Sequence, residues 1–410
     1  MDANALMSVD PEVIGERLAS ARRARGLTQQ HAAEALGVAR TTITAMEKGD
    51  RRPRAAELFT LARLYGRSLG DLVRPLREGE TPSFIVQFRA AHAGETPATE
   101  SKREQDIQRF EELSRWYVDL ERMLDAPLPV RYPEEYDVSG TSPERAAEAV
   151  ATAERNRLGL GDGPIGDLWS LLETDIGVRI FAIPMQDRRI AGMFVASSDL
   201  GGCIAVNANH PADRQRWTMG HEYWHFLTDR FQAEITVLRN GRVPASERAA
   251  DAFARHFLMP ASGLTRRFLD LKRAKPGPIT PADVLTLAHR YGVSFQAMTL
   301  RLEELELLKT GTWDTLKARG FKPEEARTLV DDLPEREEPR AALPFRYETL
   351  AARAYEDALI SEGQLARMLA TDRISAVLLA KKRAQDEQAT EPGQWRQVPI
   401  DLGRALVDVG

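Results

Sequence analysis

The stretch TMGHEYWHFL, residues 218–227, places His221, Glu222 and His225 in the HExxH spacing on a predicted helix. Side chains at positions i and i+4 lie on one helical face, one turn apart, so both imidazoles can reach a single ion. Zinc lowers the pKa of a bound water to roughly 7, and the neighbouring carboxylate of Glu222 can then accept its proton. The pattern predicts a zinc hydrolase site. The alternative is that these are surface histidines or core histidines whose hydrogen bonds are satisfied.

A third metal ligand is expected from ASERAADAFARHFLMP, residues 245–260. Ser246 is an acceptable N-cap and Pro260 ends the helical pattern, so Glu247 and Asp251 share one face. A catalytic zinc site needs three protein ligands and a water. Glu247 can supply the third ligand, while Asp251 hydrogen-bonds a ligating imidazole. The alternative is a first-turn Glu favoured by the helix dipole and a solvated Asp.

These two segments also carry a family resemblance. HEYWH, followed by ERAADAFARHFLMP and preceded by CIAVNANHPADRQRWTMG, resembles the ImmA/IrrE metallopeptidases over residues 141–305. The resemblance implies a zincin-like fold with zinc held by His221, His225 and Glu247. It also implies that Glu222 is the general base.

Trp224 departs from this family pattern. The corresponding position is usually small and often glycine. An indole here therefore puts in doubt the close packing behind the metal helix, the predicted helix that carries His221 and His225. The substitution removes no ligand, and the prediction of a zinc site is unchanged.

Length and composition indicate the class of protein. With 410 residues, 43% of them hydrophobic and 29% charged, the chain is expected to be a globular protein of two or three domains. Its single cysteine, Cys203, excludes an internal disulfide and a zinc site made of cysteines, and fits a reducing cytosol. The N-terminal MDANALMSVDPEV has no basic n-region, and no segment approaches ~18 consecutive apolar residues. We therefore expect a cytoplasmic protein that does not enter the membrane.

The net charge of -5 is unevenly distributed. Residues 12–77 hold 13 Arg or Lys against 7 Asp or Glu, a net charge of +6, and the remainder is acidic. Such asymmetry indicates a local module that binds a polyanion.

Periodicity within this basic segment predicts five short helices, near residues 11–24, 28–36, 40–48, 55–65 and 68–73. Gly37 makes the turn between the second and third helices. The buried contacts that set their crossing angle are expected from Leu27, Ala32, Leu36, Val38, Ile43 and Met46. The segment closely resembles the XRE-type helix-turn-helix of phage repressors, whose pattern of LTQ, A, LGV, I, E, G and P is nearly complete here.

This second resemblance implies that the third helix enters the major groove of double-stranded operator DNA. The positions that match base-contacting residues are Arg40, Thr41 and Thr44. Phosphate contacts are expected from Gln29, Lys48, Arg51 and Arg54.

Two alternatives and one departure from the family pattern apply to this domain. Arg51, Arg52 and Arg54 could form a solvated loop instead of contacting phosphates. Ala39 stands where the family often has serine, so a helix cap is missing. Some domains of this type bind protein instead of DNA.

Residues 77–140 are predicted to connect the two modules. FIVQFRA, residues 84–90, has the composition of a short strand, and a helix is expected over residues 102–124. Core or interdomain packing is expected from the stripe Leu113, Trp116, Leu120 and Met123.

The metallopeptidase domain is predicted over residues 141–310. Two helices precede three apolar strands, VRIFAIPM, AGMFVAS and GGCIAVN, which form a small sheet before the metal helix. The strand at 203–207 is expected at the edge beside the cleft, where a peptide could add as an extra strand; the alternative is an interior strand. Cys203 is expected to be a small buried residue, because no base is paired with it.

Residues 311–410 are predicted to form a separate C-terminal helical region. Within it, ISEGQLARMLATDRISAV could be a second helix-turn-helix, although an amphipathic packing module is the favoured interpretation.

Taken together, the sequence predicts a mainly α fold with a small β-sheet (α+β): a five-helix DNA-binding domain over residues 1–76, the connector, the metallopeptidase domain and the C-terminal region. The predicted function is a cytoplasmic, stress-response type transcriptional regulator, homodimeric on DNA. Its zinc-dependent endopeptidase domain would cleave a repressor or other regulatory protein, or the chain itself, in response to a signal. The alternative is a DNA-binding regulator whose peptidase-like domain is a non-catalytic sensor or scaffold.

Overall fold

A computed structural model describes residues 11–24, 27–65, 72, 84, 88, 97–230, 234–237, 244–274, 277–328, 330, 333, 343–386, 389–391 and 394–395. They form two compact units, one within residues 1–114 and 129–341 and the other within residues 115–128 and 342–410. The fold is mainly α-helical with a small four-stranded sheet, as predicted. Among the described helices, none is long and apolar enough to cross a membrane.

The described helices of the N-terminal domain are α1 Pro11–Ala24, α2 Gln29–Leu36, α3 Arg40–Glu47 and α4 Ala55–Tyr65. α2 begins after Thr28, whose hydroxyl accepts the His31 N–H, and ends at Gly37. The φ of Gly37 is 65°, a left-handed conformation that favours glycine and reverses the chain between α2 and α3.

The core of this domain lies where the sequence predicted it. The predicted contact residues are buried or packed against the core: Leu27, Ala32, Leu36, Val38, Ile43 and Met46. The fifth predicted helix, over residues 68–73, falls outside the described residues except for Leu72, which is helical and buried.

The connector helix α5 spans Pro97–Met123 and begins earlier than predicted. Its buried stripe consists of Ile107, Phe110, Leu113, Tyr117 and Leu120. The predicted stripe is wrong at Trp116, which is half-buried, and at Met123, which is 46% exposed. The spacing of four residues from Leu113 brings Tyr117, not Trp116, to the buried face.

The strand predicted over residues 84–90 is wrong at both of its described positions. Phe84 is helical and Phe88 lies in a 3-10 turn, and the rest of the stretch lies outside the described residues. Both rings are buried, and Phe84 packs edge-on against Phe110 of α5 with ring centroids 5.1 Å apart. The aromatic residues marked burial here, not an extended backbone.

The central part of the chain begins with α6 Pro143–Arg157 and α7 Leu168–Ser170, which continues as a π-helical segment over Leu171–Ile176. Four strands form the sheet: β1 Arg179–Ile183, β2 Ile190–Ser197, β3 Gly201–Asn207 and β4 Glu234–Val237. The strand order is β1-β3-β2-β4. β3 runs parallel to β1 and antiparallel to β2, and β4 runs antiparallel to β2.

The expectation that residues 203–207 form the edge strand is wrong. These residues lie in β3, an interior strand, and all of them are buried. A continuous apolar run is typical of a strand covered on both faces, which is what GGCIAVN shows. The outer strand next to β2 is β4, which lies within the turn-rich stretch between the two predicted metal-binding segments and was not predicted.

Two further helices hold the predicted metal ligands: α8 Ala212–Thr228 and α9 Ala245–Leu258. α9 begins at Ala245 with Pro244 before it, so the predicted cap Ser246 lies inside the first turn. The chain continues through α10 Ala261–Ala274, α11 Pro281–Tyr291, α12 Phe295–Glu304, α13 Thr312–Ala318 and α14 Pro323–Arg327.

The core of the peptidase-like region extends past residue 310. Trp313 and Phe321 both pack on Phe295, with ring centroids 6.1 and 4.9 Å apart. Leu333 also packs against this core. The boundary at residue 310 stays a prediction, but Trp313, Phe321 and Leu333 pack against the same core.

The second compact unit contains α15 Phe345–Glu356, α16 Glu362–Met368, α17 Arg373–Asp386 and the short strands β5 Ala389–Glu391 and β6 Gln394–Trp395. Tyr347 packs edge-on against Tyr117, with ring centroids 5.4 Å apart. Arg346 donates to the Glu121 carboxylate at 2.7 Å. The end of α5 is therefore part of this unit's core.

Candidate metal centre and nucleic-acid interface

Three side chains from two helices converge at one point. His221 and His225 project from α8, and Glu247 projects from the first turn of α9. Their ligand atoms all lie within 4.8 Å of one another. Nε2 of His221 is 3.5 Å from one Glu247 oxygen, and Nε2 of His225 is 3.3 Å from the other. The structure therefore brings the three predicted ligands together.

The donor atoms fit a zinc ion. Both Nε2 atoms, on His221 and His225, are buried and have no hydrogen-bond partner among the described residues. Leaving such atoms unpaired in the interior is costly unless they bind something else. Two imidazoles and one carboxylate, with a fourth position for water, form a common catalytic zinc set. The unpaired nitrogens and the donor set both match this metal.

Asp251 orients His221. Its carboxylate lies 3.0 Å from Nδ1 of His221 and also accepts the indole N–H of Trp217 at 3.2 Å. A proton on Nδ1, shared with Asp251, leaves the Nε2 lone pair pointing at the metal position. The sequence predicted Asp251 in this role but missed Trp217, which stands one helical turn before His221 on the same face.

Glu222 is fully buried beside this cluster. Neither of its oxygens has a hydrogen-bond partner among the described residues. Burial raises the pKa of Glu222 to about 7, against the opposing effect of the two histidines. A carboxyl group whose pKa lies near neutrality can both accept and return a proton.

Gly192 makes room for Glu222. This residue lies on β2, and a Cβ atom there would stand 2.5 Å from a Glu222 oxygen and 2.5 Å from the Thr218 methyl. No ordinary contact is that short, so only glycine fits this position without displacing the carboxylate. Sequence reasoning missed Gly192, because its importance depends on the pairing of β2 beneath the metal helix.

The carboxylates around His221 make this site strongly attractive to cations. Burial lowers the pKa of His221, but Asp251, Glu247 and Glu222 together raise it to about 10. Burial raises the pKa of Glu247, but the two histidines lower it well below its usual range. The same field that holds a proton here would favour a divalent cation.

The helices α8 and α9 approach closely at Gly220. A Cβ atom there would lie 3.3 Å from the Ala254 Cβ, which is tighter than an ordinary contact. Trp224, one turn further along α8, is 2% exposed and packs on Phe253 with ring centroids 5.7 Å apart. The indole therefore does not separate the helices, because Gly220 supplies the close approach.

A buried carboxylate braces the metal helix from behind. Glu154 of α6 is fully buried and accepts hydrogen bonds from the hydroxyls of Tyr223 and Tyr136. Arg157 donates to both Glu154 oxygens, at 2.8 and 2.7 Å. Tyr223 follows Glu222 in sequence, so this network fixes the rotation of α8. No sequence pattern predicts this network, because its members lie on separate helices and loops.

The predicted DNA-contacting residues fall into two groups. Arg40, Thr41, Lys48 and Arg54 are exposed. Gln29 accepts hydrogen bonds from Thr44 at 3.2 Å and from Arg40 at 3.4 Å, so these three side chains form one polar surface at the start of α2 and α3.

Arg51 differs from the other predicted phosphate contacts. It is half-buried and donates to Glu57 at 2.8 Å, and Glu57 also accepts the Arg54 backbone N–H at 2.7 Å. This ion pair shapes the loop after α3. Ala39 provides no side-chain cap to α3, as the sequence predicted.

Comparison with known proteins supports both modules. Residues 18–72 match a helix-turn-helix family model, and residues 173–303 match the M78 peptidase family model, described as an IrrE N-terminal-like domain. No curated protein matches the chain. A crystal structure of ComR from Streptococcus suis is similar over 92% of this chain and 95% of that chain, at 11% identity and a TM-score of 0.15. That TM-score is too low to bear on fold or function. On the two family matches, the chain combines a helix-turn-helix domain with an M78 peptidase-type domain.

Proposed function

We propose that this chain is a cytoplasmic DNA-binding transcriptional regulator whose second domain is a zinc-dependent endopeptidase. Its substrate would be a repressor or another regulatory protein, or the chain itself, and a signal would control the cleavage. The observation that carries the proposal is the fully buried Glu222 carboxylate beside the three converging donors of His221, His225 and Glu247. A buried, unpaired carboxylate is costly to maintain, so it is expected to serve chemistry.

In this mechanism His221, His225 and Glu247 would hold zinc. When bound, zinc would make a water nucleophilic at neutral pH and polarise the scissile carbonyl. Glu222 accepts the proton of the attacking water and returns it to the leaving amine, for which a pKa of about 7 is well suited. Asp251 keeps the His221 ring in the required tautomer.

The substrate is proposed to bind as an extended peptide along β4. β4 is an outer strand of the sheet, and its Thr236 pairs in register with Gly192, next to Glu222. Main-chain hydrogen bonds to such an edge would place the peptide backbone beside the general base. The edge predicted from sequence, β3, cannot take this role because β1 and β2 cover it on both sides.

DNA recognition is proposed for the N-terminal domain. The exposed Arg40 and Thr41 stand at the first positions of α3, the helix that enters the major groove in domains of this type. Arg40 is proposed to pair with a guanine and the threonine methyls to touch thymines. Lys48 and Arg54 would contact phosphates. A homodimer on a palindromic operator is the expected assembly.

The proposal is tested by comparing cells that carry the wild type with cells that carry Glu222→Gln. New protein termini are identified by mass spectrometry before and after the native inducing signal, together with transcription of the target genes. Glu222→Gln should abolish a cleavage seen in the wild type and lock transcription in its uninduced state. Glu356→Gln, at an exposed position on α15, is the matched control and should behave as the wild type.

If the Glu222→Gln strain responds to the signal as the wild type does, proteolysis is not part of the switch. The peptidase-like domain would then act as a sensor or scaffold. DNA binding by the N-terminal domain is measured separately and does not depend on this result.

A further inference from the structure

Residues 361–386 repeat the backbone geometry of the N-terminal helix-turn-helix. α16 begins after Ser361, a capping residue whose hydroxyl accepts a backbone N–H, as Thr28 does before α2. In both segments the ninth residue after the cap is left-handed. It is Gly37 in the first segment, with a φ of 65°, and Ala370 in the second, with a φ of 52°. An alanine with positive φ is strained, so the surrounding structure enforces this turn.

The hydrogen bonds of the two turns also match. In each turn the left-handed residue donates to the carbonyl three residues earlier at 3.2 Å, and the next residue donates to the carbonyl five residues earlier at 3.0 Å. In the second turn these acceptors are Arg367 and Ala366. The following helix begins three residues after the left-handed residue in both segments, α3 at Arg40 and α17 at Arg373.

The packing of the two segments corresponds as well. Leu365 occupies the position of Ala32, and Ala376 occupies the position of Ile43. All four side chains are buried, each with 1% exposure or less. In the first segment the small residue is Ala32 and the large one is Ile43, whereas in the second the large residue is Leu365 and the small one is Ala376. The total volume between the two helices is therefore similar in both segments. An amphipathic packing module alone does not require this detailed agreement.

The exposed face of α17 carries cations and apolar side chains. Ile374 is 75% exposed and Leu378 is 61% exposed. Arg373, Lys381 and Lys382 are also exposed, and residues 373–385 contain no Asp or Glu. Two large apolar side chains one turn apart at the surface favour a partner, and a helix whose residues 373–385 include no acidic residue favours a polyanion.

We propose that α17 is a second recognition helix and that it contacts the major groove of double-stranded DNA. Arg373 stands where Arg40 stands in α3 and would pair with a guanine. Ile374 stands where Thr41 stands and would contact a thymine methyl. Lys381 occupies the position of Lys48, for which a phosphate contact is proposed.

Several positions depart from the correspondence. Val377 stands where the predicted base reader Thr44 stands, and the exposed Asp372, directly before α17, stands where Ala39 stands. Glu362 stands where Gln29 stands at the start of the preceding helix, and its carboxylate would repel a phosphate. We therefore assign no DNA contact to the start of α16. The contact surface is confined to α17 and includes Leu378, which extends the apolar strip by one helical turn from Ile374.

Site-directed photocross-linking on the full chain tests this proposal. Cys203 is the chain's single cysteine and is fully buried, so Ile374→Cys introduces a single accessible thiol for an azidophenacyl cross-linker. The labelled protein is irradiated with a pool of random-sequence DNA duplexes several helical turns long at low salt. Arg353→Cys, at an exposed position on α15 of the same unit, is the matched control. Thr41→Cys is the positive control for the N-terminal domain.

The expected result is cross-linking of DNA by Ile374→Cys and not by Arg353→Cys. Cross-linking of Ile374→Cys to a second copy of the chain, or no cross-linking at all, would overturn the proposal. Thr41→Cys separates the two hypotheses, because its failure to cross-link DNA would count against the N-terminal domain as a DNA-binding domain and leave the result at α17 to be judged independently.

The salt dependence of DNA binding gives a second measurement. Lys381→Ala combined with Lys382→Ala should reduce the slope of log K against log salt by at least about 0.9, the contribution of the phosphate contact assigned to Lys381. Arg353→Ala should leave the slope unchanged. An unchanged slope in the double variant would also overturn the proposal.

Discussion

Gly192 is the position where a single methyl group should separate catalysis from metal binding. In Gly192→Ala the new Cβ would stand 2.5 Å from a Glu222 oxygen, whereas ordinary contacts begin at 3.4 Å. The carboxylate must therefore move by about 0.9 Å, a displacement of the size that can cost roughly 100-fold in turnover. The three proposed zinc ligands lie on α8 and α9, not on β2, so the zinc content should not change.

The assay follows the rate of the cleavage that depends on Glu222, together with zinc content by elemental mass spectrometry. Overpacking of this kind costs about 1–3 kcal/mol of folding stability, so urea unfolding is measured in parallel. Gly202→Ala is the matched control. Its new Cβ, on the neighbouring strand β3, would stand 2.9 Å from a carbon of the Phe226 ring and would not contact Glu222. Wild-type turnover in Gly192→Ala, or equal losses in both variants, would refute the assigned role of Gly192.

Other perturbations test the support of His221, the buried Glu154 network and the DNA-binding domain. Asp251→Ala should weaken zinc affinity by about 10–100-fold without abolishing binding, measured by competition with a chelator, because it removes only the support of His221. Glu154→Gln should lower the free energy of unfolding by roughly 2–3 kcal/mol in urea, less than for a fully buried pair because Arg157 is 30% exposed. Arg40→Ala should relax base preference in a random-sequence selection, whereas Arg54→Ala should weaken all sequences alike. Affinity for DNA should fall steeply as salt rises. If no salt-dependent DNA binding is found across such a selection, a protein partner is favoured for this domain.

The convergence of the proposed metal ligands could be predicted in part from sequence, because helical periodicity fixes the relation between ligands on one helix. His221 and His225 are one turn apart on one helix, and Glu247 and Asp251 are one turn apart on another. A helix transmits such spacing directly into three dimensions. The remaining step, that the two faces meet, is what the family resemblance supplied.

The sheet could be predicted only in part. The apolar runs identified β1, β2 and β3, but strand order depends on which strands pair, and this information is not local. Sequence patterns therefore did not predict that β3 is an interior strand, or that β4 lies in a turn-rich stretch. Gly192 and the Glu154 network, which position Glu222 and its helix, were not predicted for the same reason. Both depend on contacts between segments far apart in the chain.

Aromatic residues in the connector led to a wrong prediction of secondary structure and of the buried stripe. Phe84 and Phe88 favour burial in any backbone conformation, so their enrichment predicted a strand where the two described positions are helical or in a turn. In α5, Tyr117 belongs to the buried stripe that was assigned to Trp116. Both residues are large aromatics, and only the contacts of the folded chain decide between them.

The central claim is that two histidines and a glutamate hold one zinc ion beside a carboxylate that is not a ligand. Native mass spectrometry of the purified full chain tests it directly, on the wild type and on His221→Ala, Glu247→Ala and Glu222→Gln. The account predicts about one zinc per chain in the wild type and in Glu222→Gln, and loss of zinc in His221→Ala and Glu247→Ala. Stoichiometric zinc that survives both ligand substitutions would contradict it.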